Sequence, residues 1–378
     1  MTIVILAIAV FWLAYSNGAN DNFKGVATLY GSGTTDYRRS LALATLATAA
    51  GSALSLLLAS RLAVTFAGNG LVPPDLASDR SVLIAVGAAA AATVLVATLV
   101  GMPTSTTHAL TGALLGVSLA AGGDQAPIGR LWSVFFLPLL VSPVLAVIAA
   151  GVVYPAMRAA RQYLGVTSET CVCLASEEAP AIVGSAAPGD LAPYYGARAV
   201  RLAIAPAHQC TGRYAGRIVG FEAQAAVNAV HYASAAAVCF ARAVNDTPKI
   251  AALLLAGSLA GGGYAALGLV AAAMAAGGLL NSRRVARTMS RRITELNTGQ
   301  GLTGNLVTAA LVLGASQIGV PVSTTHVSCG SLFGIGVVTG AARWRTIGAI
   351  LLTWITTLPC AALLGAAAYR AWTQFGGM

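Results

Sequence analysis

The chain has 378 residues, 57% hydrophobic and 9% charged, with 42 glycines and a mean hydropathy of +0.77. Soluble domains carry about 25% charged residues, so a water-soluble enzyme is excluded. The formal net charge of +10 comes from residues in short loops between apolar segments, which reads as orientation charge in a lipid bilayer and not as a nucleic-acid surface.

The apolar stretch that starts at Met1 has no Lys or Arg ahead of it, so it is expected to stay as a first helix. It leads into Asn17-Gly18-Ala19-Asn20-Asp21 and then Lys24. Val82 to Val100 and Leu131 to Val153 carry no charge, and each exceeds or approaches the ~20 residues needed to cross a bilayer as a helix. Between them stands Gly101-Met-Pro-Thr-Ser-Thr-Thr-His108.

Residues 156–217 differ, with Glu169, Glu177, Glu178, Asp190 and six arginines. They read as a cytoplasmic linker joining a first membrane repeat, 1–155, to a second, 218–378. A connector and a partner-binding segment are both open, the connector preferred. The cysteines at 171, 173, 210, 239, 329 and 360 form no C-x-x-C pair and are expected to be structural or redox-inert.

The second repeat carries Asn245-Asp246, Lys249 and Gly319-Val-Pro-Val-Ser-Thr-Thr-His326, the same motifs in the same order. Each P-x-S-T-T-H is followed by a Gly-rich apolar stretch and a final apolar span containing Pro143 or Pro359. Placing loops 34–40, 156–217, 281–300 and 341–345 in the cytoplasm puts fifteen of the twenty arginines inside. Each half then crosses an odd number of times and the repeats are inverted. The expected fold is an all-α polytopic membrane protein: two inverted repeats with discontinuous helices and about ten to twelve transmembrane segments.

Pro103 and Pro321 suit the first turn of a helix, so a half-helix is expected to start at each. Ser105, Thr106, Thr107 and Ser323, Thr324, Thr325 would then lie at helix starts, where unpaired N–H groups and the dipole favour an anion. Two such ends facing each other would surround a tetrahedral oxyanion.

Asp21 and Asp246 are carboxylates in apolar surroundings, where an unpaired charge costs at least ~2.5 kcal/mol. The partner is a coupling cation such as sodium, a proton, a basic side chain or the hydroxyl of a protonated phosphate. The only two lysines, Lys24 and Lys249, each lie three residues after a motif aspartate. Each shares a helix face with its Asp and either pairs with it or points into a central cavity. His108 and His326 are candidates for proton transfer or for helix packing. His231, Glu222 and Arg242 break the symmetry, and a pairing of Arg242 with Glu222 is undecided.

With its N-G-A-N-D at Asn17–Asp21, its second copy at Ala243-Val244-Asn245-Asp246 and two P-x-S-T-T-H elements, the chain resembles the inorganic phosphate transporter (PiT) family over residues 14–155 and 220–368. The resemblance implies phosphate uptake coupled to sodium or protons, inverted repeats and a homodimer. Carried over, Asn20, Asp21, Asn245 and Asp246 would serve the coupling cation and substrate, with sodium at Asp21 and Asp246, and the Ser-Thr-Thr runs the phosphate. Members usually continue N-D-V-A-N, whereas here Lys24 and Lys249 stand at the third position after the aspartate. At these two positions the ammonium groups are expected to stand in for bound cations.

The resulting expectation is a secondary transporter of inorganic phosphate in the plasma membrane, with no enzymatic activity and no cofactor beyond a coupling ion. Substrate would be bound by the six Ser/Thr residues with Lys24 and Lys249. Coupling would fall to the Asn-Asp pairs and the two histidines. Sulfate, another oxyanion or a passive anion channel are the rivals. An intramembrane hydrolase using Ser105, His108 and Asp21 lacks a G-x-S-x-G element.

Overall fold

The computed structural model describes residues 1–66, 74–122, 128–167, 170–178, 198–206, 219–257 and 263–375. Glu169, Cys210, Asp190 and Gly261-Gly262 lie outside them. The chain divides into two units, residues 1–156 with 231–378, and residues 157–230.

In the larger unit, α1 (Thr2–Asp21) is followed by the short α2 (Ala27–Gly31), then α3 (Tyr37–Phe66), α4 (Pro74–Ala77), α5 (Arg80–Leu99) and α6 (Thr106–Ala120). After α7 (Ile128–Leu131) a π-helical turn, Trp132–Phe136, runs into α8 (Leu137–Tyr163). The second half supplies α9 (Ala223–Ala256), α10 (Gly263–Asn281), α11 (Arg283–Arg291), α12 (Thr298–Ile318), α13 (Thr324–Thr339) and α14 (Trp344–Phe375). Pro143 and Pro359 sit inside α8 and α14.

Among the described residues, α1, α5, the helix through α8, α12 and α14 are five helices long and apolar enough to cross a membrane. The pair α10 and α11, bent by 72°, makes a sixth if it counts as one span. This number counts helices that are individually long and apolar among the described residues, and two features keep other helices out of it. The half-helices α6 and α13 have 15 and 16 residues, and at 1.5 Å per residue they fall short of a ~30 Å core. The long helix α9 carries Arg242, Asp246 and Lys249, which dilutes its apolarity, whereas α3 keeps an uncharged apolar stretch from Ser40 to Ser60 between its arginines. The architecture is that of a polytopic membrane protein: Leu140, Ile148 and Val152 on α8 and Leu352, Ile355 and Leu363 on α14 are exposed, while Asp21, Lys24, Arg242, Asp246 and Lys249 are buried.

The two half-helices pack through paired glycines. On α6, Cβ atoms at Gly112 and Gly116 would stand 2.4 and 1.9 Å from the Leu358 and Ala362 carbonyl oxygens of α14. On α13, Cβ atoms at Gly330 and Gly334 would stand 2.7 and 2.3 Å from the Pro143 and Val147 carbonyl oxygens of α8. Both are G-x-x-x-G seams that let helix backbones touch. Each ties a half-helix to the last long helix of the other half.

The smaller unit contains strands β1 (Thr170–Glu178), β2 (Arg198–Pro206) and β3 (Val219–Glu222), antiparallel in the order β2-β1-β3. The register pairs Thr170 with Pro206 and Cys171 with Glu222. The segment read as a connector therefore includes a folded sheet.

Candidate functional site

The helices α6 and α13 begin three residues after the prolines expected to start them. Ser105 and Ser323 are their N-caps, with backbone in the extended region. Ser105 Oγ accepts from the His108 N–H at 3.1 Å and Ser323 Oγ from the His326 N–H at 3.2 Å. The serines thus satisfy one orphan amide each, while Thr106, Thr107, Thr324 and Thr325 form the first turns with amides that no helix can satisfy internally.

The extended stretch before each half-helix is held by the motif asparagines. Asn20 accepts from the Thr104 N–H at 3.0 Å and donates to the Met102 carbonyl at 3.1 Å and to Thr98 Oγ1 at 2.8 Å. In the other half Asn245 donates to the Val322 carbonyl at 3.2 Å and to Asp246 Oδ1 at 2.9 Å, and accepts from Ser316 Oγ at 3.2 Å.

Both lysines pair with their own aspartates, one of the two arrangements open from the sequence. Lys24 Nζ bonds Asp21 Oδ1 and Thr325 Oγ1, and the Thr104 carbonyl at 3.0 Å. Lys249 Nζ lies 3.6 Å from Asp246 Oδ1 and donates to Thr107 Oγ1 and the Val322 carbonyl, each at 3.0 Å. The half-helix starts meet directly, since Thr325 Oγ1 donates to the Thr104 carbonyl at 2.5 Å and Thr107 Oγ1 to the Val322 carbonyl at 3.4 Å.

A third cation completes the cluster. Arg242, 1% exposed, donates from Nη1 to Asn17 Oδ1 at 3.0 Å and from Nη2 to Thr48 Oγ1 at 2.8 Å and Asn22 Oδ1 at 3.4 Å. The pairing with Glu222 concerns a side chain outside those described. Asn17 Nδ2 in turn lies 3.3 Å from Asp21 Oδ2, 3.2 Å from Asp246 Oδ2 and 3.0 Å from Thr106 Oγ1. It therefore joins both carboxylates to a half-helix start.

The buried cluster holds Lys24, Arg242 and Lys249 against Asp21 and Asp246, a formal surplus of one positive charge. A charge left uncompensated in a membrane interior costs at least ~2.5 kcal/mol, so the arrangement favours an anion. The first-turn amides of the two half-helices are donors of the kind an oxyanion needs.

The histidines face each other, ring centroids 4.5 Å apart. His326 also stacks on Trp354 at 3.9 Å and bonds the Leu139 carbonyl through Nδ1 at 3.2 Å. His231 Nε2 is 3.0 Å from Thr28 Oγ1. Cys239 and Cys329 are buried free thiols, and Cys360 is an exposed one. Sequence reasoning missed Asn17, Asn22 and Thr48 as polar partners, and the carbonyls of Thr104 and Val322. The available signal was position: Thr104 and Val322 each follow the motif proline.

The model of the phosphate transporter family matches residues 17–365. The probable low-affinity inorganic phosphate transporter of Mycobacterium tuberculosis (strain ATCC 25618 / H37Rv) is 26% identical, covering 99% of this chain and 78% of that protein. The protein of the same description from Bacillus subtilis (strain 168) is 24% identical, covering 97% of this chain and 96% of that one. A solved structure, "The sodium-dependent phosphate transporter", superposes with a TM-score of 0.75 at 20% identity over 99% of both chains, and so shares the fold. From residue 17 to residue 365, then, the chain belongs to the phosphate transporter family.

Proposed function

We infer that this chain carries inorganic phosphate across the plasma membrane as a secondary active transporter. Access would alternate between the two sides of a midplane site, between inverted repeats, with the chain acting as a homodimer. The carrying observation is the buried meeting of two half-helix starts with three cationic side chains and only two carboxylates. Two features support oxyanion cargo: the surplus positive charge and the first-turn amides. The descriptions of the relatives support phosphate as that oxyanion. Ser105 and Ser323 contribute by capping, and Thr106 and Thr324 by lining the same helix starts. Asn20, Asn245, Asp21 and Asp246 position the backbone and the lysines, and His108 and His326 are placed to carry a coupling proton.

The test is uptake of radiolabelled phosphate into proteoliposomes holding the purified chain. The reading expects saturable uptake, competed by unlabelled phosphate and weakly by sulfate, and driven uphill by an ion gradient. Strong competition by sulfate would reassign the cargo, and flux that only equilibrates would make the protein a channel.

A further inference from the structure

We propose, resting on the transport reading above, that Lys24 and Lys249 are resident cations. Their ammonium groups fill the two oxygen-lined positions at which a sodium ion would otherwise be held, and the chain moves its anion without sodium.

Around Lys24 Nζ stand a carboxylate oxygen of Asp21, the Thr104 carbonyl oxygen and the Thr325 hydroxyl. Around Lys249 Nζ stand a carboxylate oxygen of Asp246, the Val322 carbonyl oxygen and the Thr107 hydroxyl. Hard oxygens of these three kinds are what a hard metal cation takes. An ammonium group has three N–H donors and no acceptor, so the set around Lys24 offers one oxygen per proton. The two cages are built alike: each takes its carboxylate and carbonyl from one half and its hydroxyl from the last position of the other half's Ser-Thr-Thr run.

A metal ion bound by the same oxygens would have to occupy the space of Nζ against a like charge. The residues present therefore do not fit a sodium ion while the lysines are in place. Residue usage carries the point independently. Every basic residue other than these two and the histidines is arginine, whose planar fork cannot replace a compact point charge in such a cage. A tethered cation also stays behind when the anion leaves, so a sodium gradient has nothing to act on.

The experiment has two arms on the full chain. In proteoliposomes, radiolabelled phosphate uptake is measured with sodium present and with sodium replaced by N-methyl-D-glucamine. In detergent, thermal unfolding is followed during a sodium chloride titration against matched N-methyl-D-glucamine chloride. The expected results are uptake unchanged by the replacement and no sodium-specific rise in Tm. A Lys24→Asn/Lys249→Asn variant, with both cages vacated, is expected to gain a sodium-dependent Tm rise. Uptake by the wild type that is abolished without sodium, or a sodium-specific Tm rise in the wild type, overturns the proposal. Absence of phosphate uptake under every condition would instead overturn the transport reading, and the unfolding arm would still decide whether sodium binds.

Discussion

Arg242 donates to Asn17 at 3.0 Å, and the two residues hold the same place in their halves, each four residues before its motif aspartate. The repeat is thus broken at its centre, where one half presents a cation and the other a neutral amide that accepts from it. The surplus charge of the cluster enters through this single difference.

Replacing Arg242 with Gln is therefore expected to remove the surplus charge and leave Thr48 and Asn17 without their donor. Phosphate uptake should fall by at least about tenfold, the equivalent of ~1.4 kcal/mol. Arg242→Lys should not restore it, because one ammonium cannot reach Asn17 and Thr48 in the geometry of the guanidinium fork. Initial-rate uptake beside thermal unfolding separates this loss from simple misfolding.

Asp21→Asn should leave the Lys24 ammonium buried without its counter-charge, and breaking such a pair costs about 3–5 kcal/mol. The variant is expected to be lost from the membrane fraction. Asp21→Asn combined with Lys24→Met removes both charges, so folded protein should return while uptake does not. Size-exclusion profiles of the single and double variants check this, and a double variant as unstable as the single would contradict it.

Ser105→Ala and Ser323→Ala each remove an N-cap, at about 1 kcal/mol apiece. Both should lower Tm, and Ser→Thr at the same positions should lower it less. Equal loss from Thr and Ala would show that the caps seen at His108 and His326 are energetically idle.

Gly116→Ala and Gly334→Ala put a methyl into a backbone carbonyl across each seam, an overpacking that costs about 1–3 kcal/mol. Gly348→Ala, where a Cβ meets nothing within 4 Å, is the control expected to leave Tm unchanged. Thermal unfolding of the three variants decides.

The site was legible in the sequence to the extent that it is duplicated. The lysines, the Asn-Asp pairs and the Ser-Thr-Thr runs announced themselves by occurring twice in an apolar chain, and they do converge on one buried cluster. Their detailed tasks were not legible. That Ser105 caps while Thr107 meets the opposite lysine depends on where the helix starts, and proline marks that point only loosely. Asn17 stands out in the sequence only as the first residue of N-G-A-N-D, because its counterpart is Arg242 and no repeat flags it as a polar partner. The sheet was masked by the acidic and glycine-rich residues around it, although Arg198-Ala-Val-Arg-Leu-Ala-Ile-Ala is short, partly β-branched and ends at a proline. A helix that carries the buried charges, such as α9, cannot also be uniformly apolar, so hydropathy alone does not pick it out as a span.

The glycine seams carry one more implication. Backbone contact joins α6 to α14 and α13 to α8, so under the alternating-access reading proposed above each half-helix is expected to travel with a long helix from the other half. On that reading a mobile body would be a hybrid, with its gripping helix drawn from one half of the sequence and its outer strut from the other.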